Sequence, residues 1–382
     1  MAETCPYVTK CGACHVGTEE YSTELENKRD FVKKCIGKYC RRINDTIGMF
    51  YPYNYRYKVH AVFGKQKGKV VAGMYKEGTH QIVPIEDCKI EAITASRIIK
   101  TTTKLIEDFK FLVYDEDKHT GFMRHILIRK ADHTKQVMVI LVTADSTFPH
   151  KNHFVNELLR EHPEITTIVQ NVNGANSTMV LGEQNKVLYG PGFIDDMICG
   201  LKFRISPNSF YQVNPAQTQQ LYKKAIEIAE LKGTETVIDA YCGIGTIGMA
   251  MAKNAGQVFG IELNKEAIKD AIINAKRNMV QNIKFINADA TKYMTAMAEA
   301  GMKVDVVVLD PPRSGSTPDF VRAVKKINPE KVVYVSCNPE TLGRDLDWFH
   351  KIGYFAKVAY PVDMFPWTEH VECVTLLTKE QD

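Results

Sequence analysis

The chain has 382 residues, 45% of them hydrophobic and 25% charged, a composition typical of a globular protein with two or three domains. Its 49 Lys and Arg against 45 Asp and Glu give a net charge of +4, a mild excess that permits nucleic-acid binding without arguing for it. No apolar run reaches the roughly 20 residues that a membrane span needs, the start lacks a secretory signal pattern, and ten irregularly spaced cysteines do not form a disulfide framework. We therefore predict a cytoplasmic protein that is not bound to a membrane.

The chain opens with three cysteines in the pattern C-x5-C-G-A-C, namely Cys5, Cys11 and Cys14. This spacing is typical of a metal site, either tetrahedral zinc or a [4Fe–4S] cluster, and both need a fourth ligand. Cys88, which follows a sheet-like segment, is the best candidate. Cys35 and Cys40 also compete, but they lie among apolar residues at helical spacing, so core packing explains them better. Spacing alone favours zinc and iron–sulfur equally, and thiols that bind no metal are a lesser alternative.

The segment Tyr55–Phe63 alternates as a β-strand does, with Arg56, Lys58 and His60 on one face. Basic side chains interleaved with tyrosines suit contact with phosphates and stacking on bases. A solvated outer face explains the same pattern.

Residues 91–203 carry no evident chemistry and are predicted to form an α+β domain with an antiparallel sheet. Met123–Arg129 and Gln136–Thr143 are predicted to pair as a hairpin, and Thr178–Tyr189 as another. Beyond this domain, Asn214 and Pro215 provide a good start for a helix over residues 216–230. The loop before that helix carries two aromatics and Gln212, which suggests a binding role.

A strand, a glycine loop, a helix and a second strand follow from Thr236. The loop reads G-x-G-x-x-G from Gly243 to Gly248, and the second strand ends in Glu262, which can bind ribose hydroxyls. This pattern also fits a dinucleotide. Asp239 before the loop favours S-adenosylmethionine, because it suits a cationic amino group better than a pyrophosphate. Asp289, after the third strand, can accept a hydrogen bond from an adenine amino group.

The fourth strand, Val306–Leu309, ends in the D-P-P-R turn that begins with Asp310. Such a turn resembles the [DN]-P-P-[YF] loop of amino-methyltransferases, with Arg313 in place of the stacking aromatic. The fifth strand ends at Cys337, just before a helix capped by Asn338. Because ligands bind at the carboxyl ends of such strands and a helix N-terminus lowers a thiol pKa, we predict a nucleophilic cysteine. A buried, inert cysteine is the alternative.

Near the chain end, Glu372 opens an otherwise apolar strand, which is costly unless the carboxylate has a partner or a function. We therefore regard it as a candidate general base. Glu369 and His370 are expected to face solvent.

Taken together, these stretches resemble the RNA uracil-5-methyltransferase family, specifically its iron–sulfur-containing 23S rRNA branch. The matching motifs appear in family order and are C-x5-C-G-A-C with Cys88, S-F-Y-Q-V-N, D-A-Y-C-G-I-G-T, D-P-P-R-S-G, S-C-N-P-E-T-L and D-M-F-P-W-T-E-H-V-E. Two features depart from the family pattern. Many relatives begin with a small RNA-binding β-barrel that this sequence lacks, and the usual F-F-Q is F-Y-Q here.

The resemblance implies a fold, cofactors and roles. It implies a Rossmann-like class I methyltransferase domain with a mostly parallel seven-stranded sheet over residues 204–382, preceded by an iron–sulfur region over 1–90 and the α+β domain over 91–203. It implies methyl transfer from S-adenosylmethionine to C5 of a uridine, with Cys337 as nucleophile and Glu372 as base. It also implies a [4Fe–4S] cluster held by Cys5, Cys11, Cys14 and Cys88, and a cofactor site lined by Gln212, Tyr241, Thr246, Glu262, Asp289 and Asp310.

The expected partner is RNA, with 23S rRNA favoured and tRNA as the alternative, and the expected state is a monomer without an obligate protein partner. Three other functions stay open. An amino-methyltransferase would act through Asp310-Pro311-Pro312 and leave Cys337 unused. A nicotinamide dehydrogenase would use the glycine loop, and an iron–sulfur RNA-binding or redox module would have an inactive Rossmann half.

Overall fold

The computed structural model describes residues 4–76, 78–175 and 179–379, which form two compact units that interleave along the chain. The first unit holds the segment ending at Glu19, Pro52–Met197 and Arg204–Pro215. The second holds Glu20–Tyr51, Ile198–Phe203 and the chain from Ala216 onward. Within the described ranges, no helix is both long and apolar enough to cross a lipid bilayer.

The described helices, in chain order, are α1 (Val8–Cys11), α2 (Tyr21–Ile36), α3 (Ile93–Asp108), α4 (Lys151–Glu161), α5 (Pro215–Ala229), α6 (Thr246–Ala252), α7 (Lys265–Arg277), α8 (Ala290–Glu299), α9 (Pro318–Ile327) and α10 (Pro339–Lys351). The strands are β1 (Lys58–Gln66), β2 (Lys69–Tyr75), β3 (Ile82–Pro84), β4 (Met123–Lys130), β5 (Val137–Thr143), β6 (Ile165–Val172), β7 (Gln184–Tyr189), β8 (Ile194–Ile198), β9 (Leu201–Ile205), β10 (Thr236–Ala240), β11 (Gln257–Glu262), β12 (Ile283–Asn287), β13 (Val306–Leu309), β14 (Lys331–Ser336), β15 (Tyr354–Val362) and β16 (Glu372–Lys379).

The first unit is built on a seven-stranded sheet in the order β3-β2-β1-β4-β5-β6-β7. Neighbouring strands are antiparallel except β5 and β6. One sheet face buries its aliphatic side chains against α3 and α4, whose apolar residues recur at helical spacing. The predicted hairpin of β4 and β5 is confirmed, and the α+β architecture of this unit follows from the same sheet.

The second predicted hairpin, over Thr178–Tyr189, is not formed by the described residues. Thr178 itself lies outside them, and the remainder supplies only β7, which pairs with β6. Strand β1 likewise begins later than the alternating pattern suggests. Before Lys58 the backbone turns to other partners, since the Tyr57 N–H donates to the Val213 carbonyl at 2.8 Å.

The second unit has a seven-stranded sheet in the order β12-β11-β10-β13-β14-β16-β15. The first five strands are parallel, whereas β16 is antiparallel to both of its neighbours. The parallel strands are short β-branched runs buried on both faces, as expected for a sheet covered by helices on each side. The carboxyl ends of β10, β13 and β14 and the amino end of β16 therefore meet at one edge of the sheet.

Helix α2 packs into the core of this second unit although it comes early in the chain. Val32 and Ile36 are fully buried there, in one cluster with residues of α10 and β15. Helix α10 approaches α2 closely at Gly343, where an added Cβ would lie 2.5 Å from the Cys35 carbonyl oxygen. The segment after α2 runs beside the edge strand β15, with the Ile47 N–H donating to the Pro361 carbonyl at 2.9 Å.

Candidate active site

Two neighbouring strands bring together the predicted nucleophile and the predicted base. Strands β14 and β16 are antiparallel, and Ser336 is paired with Cys373. Cys337 and Glu372 are therefore the next residues in register, side by side at the same edge of the sheet. Cys337 is partly exposed, whereas the side chain of Glu372 is only 3% exposed.

The ionisation of Cys337 differs from the sequence-based prediction. Burial first, and then the carboxyls of Glu372 and Asp310, raise its thiol pKa to about 11, although the Arg313 guanidinium acts in the opposite direction. The helix N-terminus was expected to lower this pKa, but the pKa is raised. Two acids from other strands, together with desolvation, outweigh the local effect of the helix.

Three carboxyls at this edge of the sheet have pKa values raised well above the ordinary range of such groups. Burial raises the pKa of Asp310 to about 7 and, followed by the charge of Asp310, raises that of Glu372 well above its usual value. Burial also raises the pKa of Asp239 to about 7, although its Oδ2 accepts from the Gly248 N–H at 2.8 Å. The second oxygen of Asp239 is buried without a hydrogen-bond partner among the described residues. Such a site favours a positively charged ligand.

Tyr222, on α5, is a site residue that sequence reasoning missed. Its hydroxyl accepts from the Thr246 hydroxyl at 3.1 Å, and the charges of Asp310 and Glu372 contribute to a raised pKa that burial dominates. Nothing local to α5 distinguishes this tyrosine from a core residue, because the strands that supply the acids lie far away in sequence.

Hydrogen bonds fix the D-P-P-R turn against the first turn of α10, which begins just after Cys337. The Arg313 carbonyl accepts from the Thr341 hydroxyl at 3.3 Å, and the side chain of Arg313 is exposed. Further along, the fully buried carboxylate of Asp345 accepts from the Ser316 N–H and from the Tyr334 hydroxyl, each at 2.6 Å. These bonds hold the loops after β13 and β14 in one arrangement, so the cation of Arg313 stays close to Cys337.

The glycine loop adopts the backbone that its composition predicts. Gly243 has φ +55° with open space where a Cβ would stand, and Gly245, with φ +83°, would place a Cβ 2.6 Å from the ring of Phe285. The carboxylate of Glu262 lies beside this loop, where it accepts from the Gly243 N–H at 3.1 Å. Glu262 thus occupies the position predicted for it, at the end of β11.

Of the other predicted cofactor residues, Tyr241 follows β10 directly, and its ring packs at a tilt against that of Phe320 with ring centroids 5.6 Å apart. Asp289 is exposed and caps α8 by accepting from the Lys292 N–H at 3.0 Å, a structural role that the sequence did not reveal. Gln212 belongs to the first unit, where it is buried in the loop after β9.

The loop that leads into Glu372 is anchored on a buried ion network. The Lys28 ammonium lies 2.5 Å from a carboxylate oxygen of Glu24 and 2.6 Å from one of Asp363. Glu24 in turn accepts from the Trp367 N–H at 2.7 Å, and Asp363 accepts from the Tyr21 hydroxyl at 2.6 Å. Helix α2 therefore holds the stretch between β15 and β16.

The four cysteines predicted to bind metal line a single cavity in the first unit: Cys5, Cys11, Cys14 and Cys88. Backbone N–H groups of Ala13 and Val16 donate to the Cys11 and Cys14 sulfurs. The Cys88 sulfur accepts from two more N–H groups, and its pKa is raised to about 12 by burial first and then by the Glu91 carboxyl. Arg56 also lines the cavity and supplies a cation.

The four sulfurs are spread around the wall of this cavity. Among the described residues, no three of the four sulfurs lie within 4.8 Å of one another. A zinc ion with Zn–S bonds near 2.3 Å would hold them at about 3.8 Å. Cys35 and Cys40 lie instead in the core of the second unit, as core packing predicted.

Glu369 and His370 are exposed, as predicted. The second unit therefore contains a thiol, three acids with raised pKa values, one exposed cation and a glycine loop, and the first unit contains a separate four-cysteine cavity.

Known proteins resemble this chain over nearly its full length. A family model described as tRNA (Uracil-5-)-methyltransferase matches residues 183–380. An uncharacterized RNA methyltransferase of Clostridium tetani (strain Massachusetts / E88) is 43% identical over 377 residues, covering 98% of this chain and 82% of that protein. Another from Halalkalibacterium halodurans is 41% identical with the same coverage, 98% and 82%.

One solved structure is similar in both fold and sequence. The crystal structure of Pyrococcus abyssi tRNA (uracil-54, C5)-methyltransferase in complex with S-adenosyl-L-homocysteine superposes with a TM-score of 0.79 at 28% identity. The match covers 98% of this chain and 87% of that one.

The mixed sheet, the glycine loop and this likeness define an α/β methyltransferase of the class I type that uses S-adenosylmethionine. The chain belongs to the tRNA (uracil-5-)-methyltransferase family. It is an S-adenosylmethionine-dependent RNA methyltransferase, so the family and the enzyme class predicted from the motifs are confirmed.

Proposed function

We propose that this enzyme methylates C5 of a uridine in RNA through a covalent adduct between Cys337 and C6 of the base. The observation that carries the proposal is the register of β14 and β16, which sets Cys337 beside Glu372 at the ligand-binding edge of the sheet. An amino-methyltransferase working through Asp310 would need neither the thiol nor the buried base.

The two residues serve different steps. C5 of uracil is too weak a nucleophile to attack a methyl sulfonium unaided. The Cys337 sulfur, after losing its proton, adds to C6 and makes C5 an enolate carbon that takes the methyl group. Glu372 then removes the C5 proton, the C6–S bond breaks, and the thiolate leaves. One proton is released for each methyl group transferred.

S-adenosylmethionine supplies the methyl group. The residues proposed to hold it are Gln212, Tyr241, Thr246, Glu262, Asp289 and Asp310. A cationic ligand fits the raised pKa values of Asp310 and Asp239, because a positive charge beside them favours their ionised forms. The anionic pyrophosphate of a dinucleotide would have the opposite effect, which argues against a dehydrogenase.

We also propose that Cys5, Cys11, Cys14 and Cys88 hold a [4Fe–4S] cluster. Support comes from the shared cavity, and from the N–H donors aimed at the sulfurs and the cation of Arg56, which stabilise cysteine thiolates. Methyl transfer requires no electron, so we assign the cluster a structural role.

For the RNA, we propose 23S rRNA, because the four-cysteine motif resembles the rRNA branch of the family. A tRNA substrate is the second candidate, favoured by the likeness to the Pyrococcus abyssi tRNA enzyme. Methylation of purified 23S rRNA and bulk tRNA by the same preparation, followed by mapping of 5-methyluridine, distinguishes them. Label confined to tRNA would overturn the rRNA proposal alone.

The mechanism is tested by separating the two catalytic steps. Cys337→Ala should abolish both methylation and the covalent RNA adduct. Glu372→Gln should still add and methylate but fail to eliminate, so a methylated protein–RNA adduct should persist in denaturing electrophoresis.

Matched controls exist in the same chain. Cys242→Ala and Cys373→Ala should retain adduct formation, since both thiols are buried, whereas Cys337 is partly exposed. A 5-fluorouridine substrate should trap the wild-type enzyme, because fluorine cannot leave as a cation. Turnover by Cys337→Ala would refute the mechanism and favour the amino-methyltransferase.

A further inference from the structure

Strands β1 and β4 set two cations directly opposite each other in the first unit. Their register pairs Lys58 with Arg129, and directly paired residues in an antiparallel sheet share one face. Like charges at such a pair destabilise a sheet unless something neutralises them. The next residue on this face of β1, His60, adds no charge near neutral pH because burial lowers its pKa to about 4.

No acid of the described chain neutralises this pair. Arg129 is 4% exposed and donates to the carbonyls of Pro207 and Ser209 at 3.0 and 2.6 Å, while its Nε is buried without a partner. Lys58 is partly buried, and its ammonium makes no hydrogen bond or ion pair with any described residue. Desolvation first, then the charges of Arg129 and Arg56, lower the Lys58 pKa to about 8.

The neighbouring cation Arg56 does not add to this uncompensated positive charge. Its charge is balanced by Glu91, whose carboxyl it acts on electrostatically, and it lines the cysteine cavity. Lys58 is therefore the more exposed member of a pair of cations that no described acid neutralises, and Arg129 adds a second, buried positive charge beside it.

The same two strands hold a loop that exposes an aromatic ring. The bonds from Arg129 fix the start of this loop, and the Tyr57 N–H holds its end through Val213. Between them Phe210 is 65% exposed. A cation near an exposed aromatic is the combination that binds single-stranded RNA, because the cation contacts the backbone and the ring stacks on a base.

We propose that Lys58, backed by Arg129, binds a backbone phosphate of the RNA substrate, next to a base stacked on Phe210. The inference rests on the proposed function in that the ligand is RNA, but it concerns binding and not chemistry. A phosphate supplies the negative charge that the face lacks, and no other described side chain does so.

The test is the salt dependence of RNA binding by the full-length holoenzyme. Lys58→Gln should weaken binding of a single-stranded substrate fragment roughly tenfold at low salt. The slope of log K against log salt should become shallower by about 0.7, the value for one single-strand phosphate contact. Lys58→Arg should keep the wild-type slope. Phe210→Ala should weaken RNA binding but leave the slope unchanged.

The matched control is Lys104→Gln, an exposed lysine on α3 of the same unit, which should leave both affinity and slope unchanged. Because Lys58→Gln removes a like-charge repulsion, its thermal midpoint should not fall, so lost binding cannot be attributed to unfolding.

An unchanged slope in Lys58→Gln overturns the inference. Weaker binding of S-adenosylmethionine by Lys58→Gln with unchanged RNA binding also overturns it, because the anion would then be the cofactor carboxylate. A third contrary result is inorganic phosphate that competes as well as RNA does at the same concentration. If the wild type shows the predicted slopes but makes no 5-methyluridine, the proposed function fails while this inference stands.

Discussion

At the scale of single residues, the site depends on how neighbours set the charge of one thiol. Cys337 could be picked out from sequence because a β-branched run, an Asn cap and a proline place it between a strand and a helix. Its pKa could not be predicted, because the carboxyls that raise it come from β13 and β16, far away in the chain. Arg313 is the cation that opposes them.

Arg313→Gln should therefore raise the Cys337 pKa further and leave less thiolate at any given pH. The measurement is the rate of Cys337 alkylation by iodoacetamide across a pH series, read by mass spectrometry. The curve should move to higher pH, and methyl transfer near pH 7 should slow several-fold.

Arg322→Gln serves as the control, because this exposed arginine on α9 pairs with Asp319. Identical alkylation curves for wild type and Arg313→Gln would show that Arg313 does not control the thiol.

At the scale of elements, a buried ion network ties α2 to the loop before β16. Lys28, Glu24 and Asp363 are 4%, 2% and 0% exposed, so removing the cation leaves two buried acids without a positive charge beside them. Breaking such a network costs about 3–5 kcal/mol. Lys28→Met should lower stability by that order and should also slow methylation by loosening the stretch that ends at Glu372.

The pH dependence has a defined sign. In the wild type, burial keeps the Glu24 pKa raised to about 7 despite Lys28. A carboxyl with a raised folded pKa contributes stability that is present below its unfolded pKa and is lost as pH rises through the folded pKa. Without Lys28 that pKa rises further, so the deficit of Lys28→Met should be largest at pH 8 and smaller near pH 5.

Denaturant unfolding at the two pH values measures this deficit, with Lys33→Met on the exposed face of the same helix as the control. A deficit that grows on acidification would contradict the assignment of the network.

Elements with a strong local pattern were predicted well, and those defined by distant partners were not. The strands β10, β11, β13 and β14 carry β-branched runs bounded by glycine, proline or acids, and their observed ends lie within one residue of the predicted ones. The Thr178–Tyr189 segment was predicted to be a hairpin, yet the strand that it supplies, β7, pairs with β6. Pattern alone does not choose between two available strand edges.

At the scale of the whole molecule, the cysteine cavity gives the first unit a chemistry of its own. Anaerobically purified protein should be brown and contain about four irons per chain. Cys88→Ser should lose iron and lower the thermal stability of the first unit, because metal binding is coupled to folding.

Cys199→Ser should keep the full iron content, because that thiol does not line the cavity. Stoichiometric zinc without iron in anaerobic preparations would refute the cluster.

The placement of α2 has a consequence for biosynthesis. Its buried residues Val32 and Ile36 leave the ribosome about 300 residues before α10, the helix that covers them. At 5–20 residues per second, this apolar face waits roughly 15–60 s for its partner. The nascent chain thus exposes the aggregation-prone apolar face of α2 during most of its translation. A fragment that begins at residue 204 would lack that helix altogether.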